Sequence, residues 1–543
     1  MASPIAGDGG AASLGGKPAA SKGPGKVITG IGWNFVGLIA GSVSGLVSGV
    51  LLAVLLGPSD YGYMALVMSV LNVLVVGSAL GFEFALNKYI PLLLAEKKSS
   101  GILRLVRNFT IIKVAIAVAL SVVISLTADM LADTVFRKPE LGVYLRVLAL
   151  LVVPYSLESI YRGLLTGFYL QKFINLLDAG TKGLYLALAA VVLLRGYGVL
   201  GVLFVSLLIQ VIFVTLAARR GFAAIPPGHV AGEPPQMGKV LRFSLYLYLF
   251  TVMNFVLGQQ LDVMMIGGMV SDIRQVGYYN IAYTFAYMSL SFFSLVLGGG
   301  ITLTYFSELY GKKDMEGLRR GYTVLVEYVF VFIIPLAIVG AVLAKPLIYL
   351  IFGVQYAGTA VVELLALYFP VMAFLKFGGV TSTFMGAMDQ EKKLVISRTI
   401  FGSTNIVLNY LLIPSLLAFG ALIGTGVASI AGLAYESYVV HKSLHPRYPY
   451  RFLGRMIAIS LVSGLAAYIL RLLIEPAAAA AGFGPQGTSL LVLGGAGLPW
   501  LGLTMALFIL LKPLSSETAD VIDKVPMPFK KTVMRLIRPM EKS

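Results

Sequence analysis

The sequence predicts an all-α integral membrane protein of about 14 transmembrane helices. They form two parallel six-helix repeats, as two lobes around a central cavity, plus two extra C-terminal helices. Three observations predict this. The 543 residues are 58% hydrophobic and only 12% charged, with a mean hydropathy of +0.88, whereas soluble domains carry roughly 25% charged residues. Apolar segments of about 20 residues or more, enough to span a bilayer, recur along the whole chain. One stretch is also written twice. It begins Leu56-Gly57-Pro58-Ser59-Asp60-Tyr61-Gly62-Tyr63 and ends at Glu96-Lys97-Lys98. Gly62-Tyr63 corresponds to Gly277-Tyr278, Leu66 to Ile281, Ser69 to Thr284 and Lys97-Lys98 to Lys312-Lys313, always 215 residues apart.

In chain order, residues 1–26 are rich in Gly, Ala, Ser and Lys and lack the apolar core of a signal peptide, which predicts a disordered cytoplasmic tail. The N-lobe, 27–218, carries apolar segments at 28–56, 61–93, 108–127, 141–166, 174–194 and 197–218. A cytoplasmic linker, 219–238, holds Pro226-Pro227 and Pro234-Pro235. The C-lobe, 239–440, repeats the plan at 240–269, 276–308, 321–344, 359–387, 394–415 and 418–440. Two further spans, 453–475 and 488–511, lie in 441–512. The end, 513–543, is basic and amphipathic, as suits a helix on anionic membrane lipid. Gly167-Phe168-Tyr169-Leu170-Gln171 and Gly386-Ala387-Met388-Asp389-Gln390 close equivalent helices of the two halves.

Loop charge supports this count. With both termini cytoplasmic, the inner side collects Lys97, Lys98, Arg104, Arg107, Arg219, Arg220, Lys312, Lys313, Arg319, Arg320, Lys392 and Lys393. The outer side keeps Arg137, Lys138, Arg195, Arg274, Lys345 and Arg471. The net charge of +17 then belongs to loops facing an anionic leaflet, and nucleic acid is not a partner. With no Cys, and with His229, His441 and His445 in loops, thiolate chemistry and a metal cluster are excluded. No phosphate-loop motif or catalytic constellation appears, so the chain reads as neither an enzyme nor a user of ATP, with no cofactor beyond a Na+ or H+ gradient.

The ordered motifs resemble those of a known family. Leu56-Gly57-Pro58-Ser59-Asp60-Tyr61-Gly62 is similar to the LGPxDYG turn of polysaccharide transporters, the Wzx-like flippases of O-antigen and other lipid-linked oligosaccharides. Gln260-Leu261-Asp262 with Val276-Gly277-Tyr278-Tyr279 resembles their QxD and VGxYxxA region. Phe352-Gly353-Val354-Gln355-Tyr356 resembles FGxxY, and Asn405, Asn409 and Leu411-Leu412-Ile413-Pro414 resemble NxxLNxxLIP. The family belongs to the superfamily of multidrug extruders and lipid II flippases. The resemblance implies two six-helix bundles flanking a cavity that opens alternately to each side. It also implies a polyprenyl (pyro)phosphate glycan as cargo, the cell membrane as location, and glycosyltransferases or a polymerase of the same pathway as partners. Lipid II flippases place arginines in their first helix, where this chain has Asn34, which disfavours a peptidoglycan precursor.

A phosphate-bearing headgroup crossing hydrocarbon needs a polar, cationic path, so charges within spans are the candidates. Lys376, deep in the tenth span with no acid three or four positions away, either meets cargo phosphate or pairs with an acid on another helix. Lys113 is shallower and either snorkels or reaches the cavity. Lys182 lies one turn from Asp178, and Arg162 one turn from Glu158, spacings that suit intrahelical pairs as well as cargo contact. Arg146 and Lys88 either escort phosphate or mark the interfaces. Asp262 shares a helical face with Thr251, Asn254 and Gly258, a set that could bind Na+ or a proton, or make a helix contact. Glu327 and Glu436 are lesser acids. Asn280, Tyr283, Thr284, Tyr287 and Ser291 form a second stripe suited to sugars, and Asn72 aligns with Tyr287 across the repeat. Gly37, Gly41, Gly45 and Gly49 form a ladder for close helix packing.

The leading expectation is a secondary transporter that flips lipid-linked oligosaccharide. A multidrug or organic-cation antiporter would need cavity acids to outweigh bases. A non-transporting scaffold of a polysaccharide-assembly complex would need no intramembrane charge.

Overall fold

The computed structural model describes residues 23–511 apart from 97, 227–236, 299–300 and 357, together with 514 and 518. Most of the tails expected at 1–26 and 513–543 and most of the 219–238 linker lie outside the described residues; residues 23–26, expected in the disordered tail, are helical. The described chain is helical, without strands. The first half holds α1 (Gly23–Gly77), α2 (Phe82–Ala95), α3 (Ser99–Met130), α4 (Leu141–Gly167), α5 (Gln171–Leu194) and α6 (Gly198–Ala223). The second holds α7 (Met237–Phe255), α8 (Leu261–Met269), α9 (Arg274–Gly298), α10 (Ile301–Gly311), α11 (Met315–Val342), α12 (Ala344–Phe352), α13 (Val361–Ala387), α14 (Glu391–Leu416) and α15 (Ala418–Leu444). Then come α16 (Tyr450–Ala480), α17 (Pro485–Val492) and α18 (Leu498–Leu511).

Among the described residues, eleven stretches are long and apolar enough to cross a membrane, one of them the Val43–Gly77 part of α1. The other expected crossings are in pieces. α1 contains two, because Gly57 adopts φ 75° and Pro58 follows it. α7 and α8 fall within one expected crossing, and α9 and α10 within another. Here the structure corrects the unbroken helices expected at 61–93 and 240–269. The first breaks at Leu80 and Gly81, both at positive φ, where a side chain on Gly81 would meet the Ser244 carbonyl at 2.2 Å. The second breaks in a π turn, Val256–Gln260, at Gly258 (φ −103°, ψ −140°). In the stretch 276–308, residues 299–300 lie outside the described residues. Apolar runs report burial in lipid, not helical continuity, so hydropathy alone misses such breaks.

Leu126, Leu194 and Leu510 are among many large apolar side chains left exposed, as lipid contact requires. The two halves meet symmetrically. A Cβ on Gly62 would lie 2.3 Å from the Ile273 carbonyl, and one on Gly277 would lie 3.0 Å from the Pro58 carbonyl. Positions 58 and 273, like 62 and 277, are 215 apart, so each copy of the duplicated turn seats its glycine against the other copy. That reciprocity is the signature of a two-fold contact. Tyr356 Oη donates to the Ala53 carbonyl at 2.9 Å and Gln355 Nε2 to the Val54 carbonyl at 2.8 Å, sealing the same face. α16 packs on α11 and α17 on α12, with Glu475 accepting from Lys345 at 3.0 Å and Arg471 at 2.9 Å.

Candidate functional site

Two polar assemblies stand out in this apolar bundle. The first is a cavity of about 510 Å³ between α1, α4, α5, α6 and α9. Its wall is rich in neutral hydrogen-bonding groups: Asn72, Gln210, Gln259, Gln260, Asn280, Tyr61, Tyr155 and Tyr185. The charged groups are Glu158, Arg162, Asp178 and Lys182. Arg162 Nε donates to Glu158 at 2.6 Å, and its two terminal nitrogens donate to Asp178 at 3.0 and 2.5 Å. Gln210 Nε2 donates to the other Glu158 oxygen at 2.5 Å. The guanidinium also lies 4.5 Å from the centre of the Phe213 ring. Arg162–Glu158 therefore forms within α4 as its spacing suggests, but Asp178 pairs with Arg162 and not with Lys182. A planar guanidinium takes a carboxylate with two parallel bonds, which a lysine cannot do. Lys182 is left without an ion pair among the described residues. Its Nζ lies beside Gly41, 3.7 Å from where a Cβ would stand.

The α1 glycine ladder serves this cavity as well as packing. Gly45 admits Met288 of α9, whose Cε is 2.5 Å from a Cβ built there, while Gly49 faces open space. The side chains of Asn34 and Gly37 lie outside the described residues. Asn280 ties the halves together across the cavity: its Nδ2 donates to Tyr61 Oη at 3.0 Å, and its Oδ1 accepts from Gln259 at 2.8 Å.

The second assembly surrounds Asp262, which is 1% exposed. Asn409 Nδ2 donates to Asp262 Oδ1 at 2.6 Å, and Thr425 Oγ1 donates to Oδ2 at 2.8 Å. Tyr279 Oη also donates to Oδ2. Asn405 donates to Thr425 at 3.1 Å and accepts from Asn409 at 3.2 Å. The ring thus gathers α8, α9, α14 and α15. Asn409 Oδ1 is buried without a donor, an unmatched acceptor whose burial costs about 1–3 kcal/mol. Amide and hydroxyl oxygens around one carboxylate form a hard, oxygen-rich donor set that suits a small cation or a proton. The face expected to join Thr251, Asn254 and Asp262 is interrupted, because the break at Gly258 ends the helical register between them. The side chains of Thr251 and Asn254 lie outside the described residues.

The remaining candidates disperse. Lys376 of α13 donates to Ser291 at 2.5 Å and sits 3.8 Å from the centre of the Tyr287 ring. Tyr287 stacks on Tyr283, and Tyr283 on Tyr279, so the helical tyrosine stripe links Lys376 to the Asp262 ring. Lys113 is fully buried in α3 and donates to Ser159 of α4, away from the cavity wall. Arg146 pairs with Asp129, both more than half exposed. Lys88 lies over the Phe243 ring. Glu436 accepts from Thr381 at 2.5 Å and Ser397 at 2.7 Å, and Glu327 accepts from Thr518 at 2.5 Å. Two functional groupings escaped the sequence. The Arg162–Asp178 clamp joins two helices, which no single-helix spacing reveals. The participation of Thr425 had no signal, whereas Asn405 and Asn409 stood in a motif without a role.

Comparison with known proteins places this geometry. The fold matches the lipid II flippase MurJ in an inward closed conformation with a TM-score of 0.66 at 16% identity, covering 89% of this chain and 99% of that one. It matches an inward-facing multidrug resistance MATE family transporter of the MOP superfamily with a TM-score of 0.58 at 17% identity, covering 74% and 94%. An uncharacterized membrane protein of Methanocaldococcus jannaschii is 20% identical over 470 residues, 82% of this chain and 89% of that protein. Residues 51–361, more than half of the sequence, match the family described as polysaccharide biosynthesis protein, and the chain belongs to that family.

Proposed function

We propose that this protein flips a lipid-linked oligosaccharide, a glycan on polyprenyl (pyro)phosphate, across the cytoplasmic membrane by alternating access coupled to Na+ or H+. The observation that carries the reading is the cavity within the first half, bordered by Gln259, Gln260 and Asn280 of the second, with many neutral donors and acceptors and one lysine, Lys182, outside any ion pair among the described residues. Neutral amides and phenols suit sugar hydroxyls, and an ammonium not neutralised by a carboxylate suits phosphate. At about 510 Å³ the cavity has room for the headgroup and first sugars, within the ~300–1,000 Å³ of small-ligand sites. The prenyl tail stays in lipid. Family membership and the MurJ and MATE folds support a transporter of this superfamily. Asp262 and its ring are the coupling-ion site in this reading. The tyrosine stack from Tyr279 to Tyr287 ties that site to Lys376, the second candidate for cargo phosphate.

Against an organic-cation antiporter stands the state of the cavity acids: Glu158 and Asp178 are both already paired with Arg162. The experiment is thermal stability of the purified protein with a short polyprenyl phosphate or pyrophosphate, with and without a sugar, against a panel of lipophilic cations. Stabilisation by the anionic lipid, weakened about tenfold in apparent affinity by Lys182→Ala, is expected. Stabilisation by cations alone would replace this reading with the antiporter.

A further inference from the structure

Lys138 lies in the turn between α3 and α4, on the face sealed by Gly62 and Gly277, and is almost fully buried. Its ammonium donates to three backbone carbonyls: Phe136 nearby at 3.2 Å, and Gly267 at 2.8 Å and Val270 at 2.7 Å across the boundary between the halves. The last two lie at the C-terminal end of α8, where carbonyls lack intrahelical donors and the helix carries partial negative charge. All three donors are used, and no carboxylate is in ion-pair reach among the described residues. A Cβ on Gly268 would stand 3.2 Å from the Val135 carbonyl, so the contact is tight as well as polar.

α8 is short, nine residues (Leu261–Met269), or about 13 Å. Its second residue is Asp262. The break at Gly258 separates it from the rest of its crossing. One end of this rod therefore sits in the Asp262 ring, and the other is held by a lysine from the opposite half.

We propose that Lys138 is a positioning residue for ion coupling: it latches the two halves through the C-terminal end of α8, and occupancy of the Asp262 ring at the other end of that helix decides whether the latch holds. This rests on the reading of that ring as the coupling-ion site. A cation that draws Asn409, Thr425 and Asp262 inward moves α8 along its axis. A shift of about 1 Å takes both inter-half bonds past hydrogen-bond range. Burial holds the Lys138 ammonium below the usual lysine range. Once the face opens, water replaces the two carbonyls.

The chain has no cysteine, so labels can be placed without background. Tyr197→Cys and Val354→Cys put spin labels on exposed positions of that face, one in each half. Their distance distribution is read by double electron–electron resonance in nanodiscs, with Na+, with choline in its place, and at acidic and neutral pH. The parent is expected to shift between a short and a long distance with one of these ions. Lys138→Met should raise the long-distance population about tenfold and no longer respond to the ion. Lys138→Arg, which donates to the same carbonyls, should restore the response. If Lys138→Met is not monodisperse, Lys138→Gln carries the comparison. A Lys138→Met protein that shifts as the parent does, or stays closed, overturns the latch and leaves the Asp262 reading standing. A parent that responds to neither ion, with Asp262→Asn indistinguishable from it, overturns the coupling reading and the latch together.

Discussion

Asp262 and Arg162 carry the same lesson with opposite charge. Each is an ionisable group in an apolar bundle, and each is surrounded by hydrogen-bonding partners. Three donors converge on Asp262, and two carboxylates converge on Arg162. The difference is what remains. Arg162 is neutralised by two carboxylates, whereas the Asp262 ring keeps an unmatched acceptor, Asn409 Oδ1. Asp262→Asn preserves volume and removes the charge. In the parent, Na+ at a hundredfold excess over its Kd should add about 2.7 kcal/mol of stability. The variant should lose that increment, seen as a Tm that is the same in sodium and choline chloride. Equal midpoints in the parent, with an acid-dependent shift lost in the variant, would assign the coupling to protons instead.

At the scale of the element, glycines decide where apolar helices stop and how closely they meet. Gly57 lets α1 turn between two crossings, and Gly258 frees α8 from α7. Gly62 and Gly277 bring the two copies of the duplicated turn into backbone contact. The contacts are unequal, which gives a graded test. Gly62→Ala puts a methyl 2.3 Å from a carbonyl oxygen and must push the halves apart, while Gly277→Ala meets its carbonyl at 3.0 Å and asks for less. Cysteine cross-linking across this face should fall sharply in the first variant and modestly in the second. Equal cross-linking in both would mean that the face closes without this contact.

For the whole molecule, the duplication makes a two-fold frame in which the two glycine turns meet and each copy of the repeat ends in a lysine doublet. The excess of positive charge predicts a cytoplasmic side for the doublets. A cysteine at Lys313 should react with an impermeant thiol reagent only in inside-out vesicles, and one at Val354 only in right-side-out vesicles; both positions are exposed. The reverse pattern would overturn the expected orientation.

Much of this was legible in the chain itself. Hydropathy gave the membrane class, and the 215-residue offset the two-fold plan. Asp262 was conspicuous because an acid inside an apolar run must have a reason to be there. These readings depend on properties that are local in sequence or repeated along it. The tertiary structure alone decided which charges meet. Asp178 lies four residues from Lys182 but pairs with Arg162, 16 residues away. Asp262 finds Asn409 and Thr425 at separations of 147 and 163, and Lys138 finds Gly267 at 129. Helical periodicity says which face a side chain occupies, but not which other helix faces it. That is settled by the packing of distant crossings, through contacts that no spacing along the chain encodes.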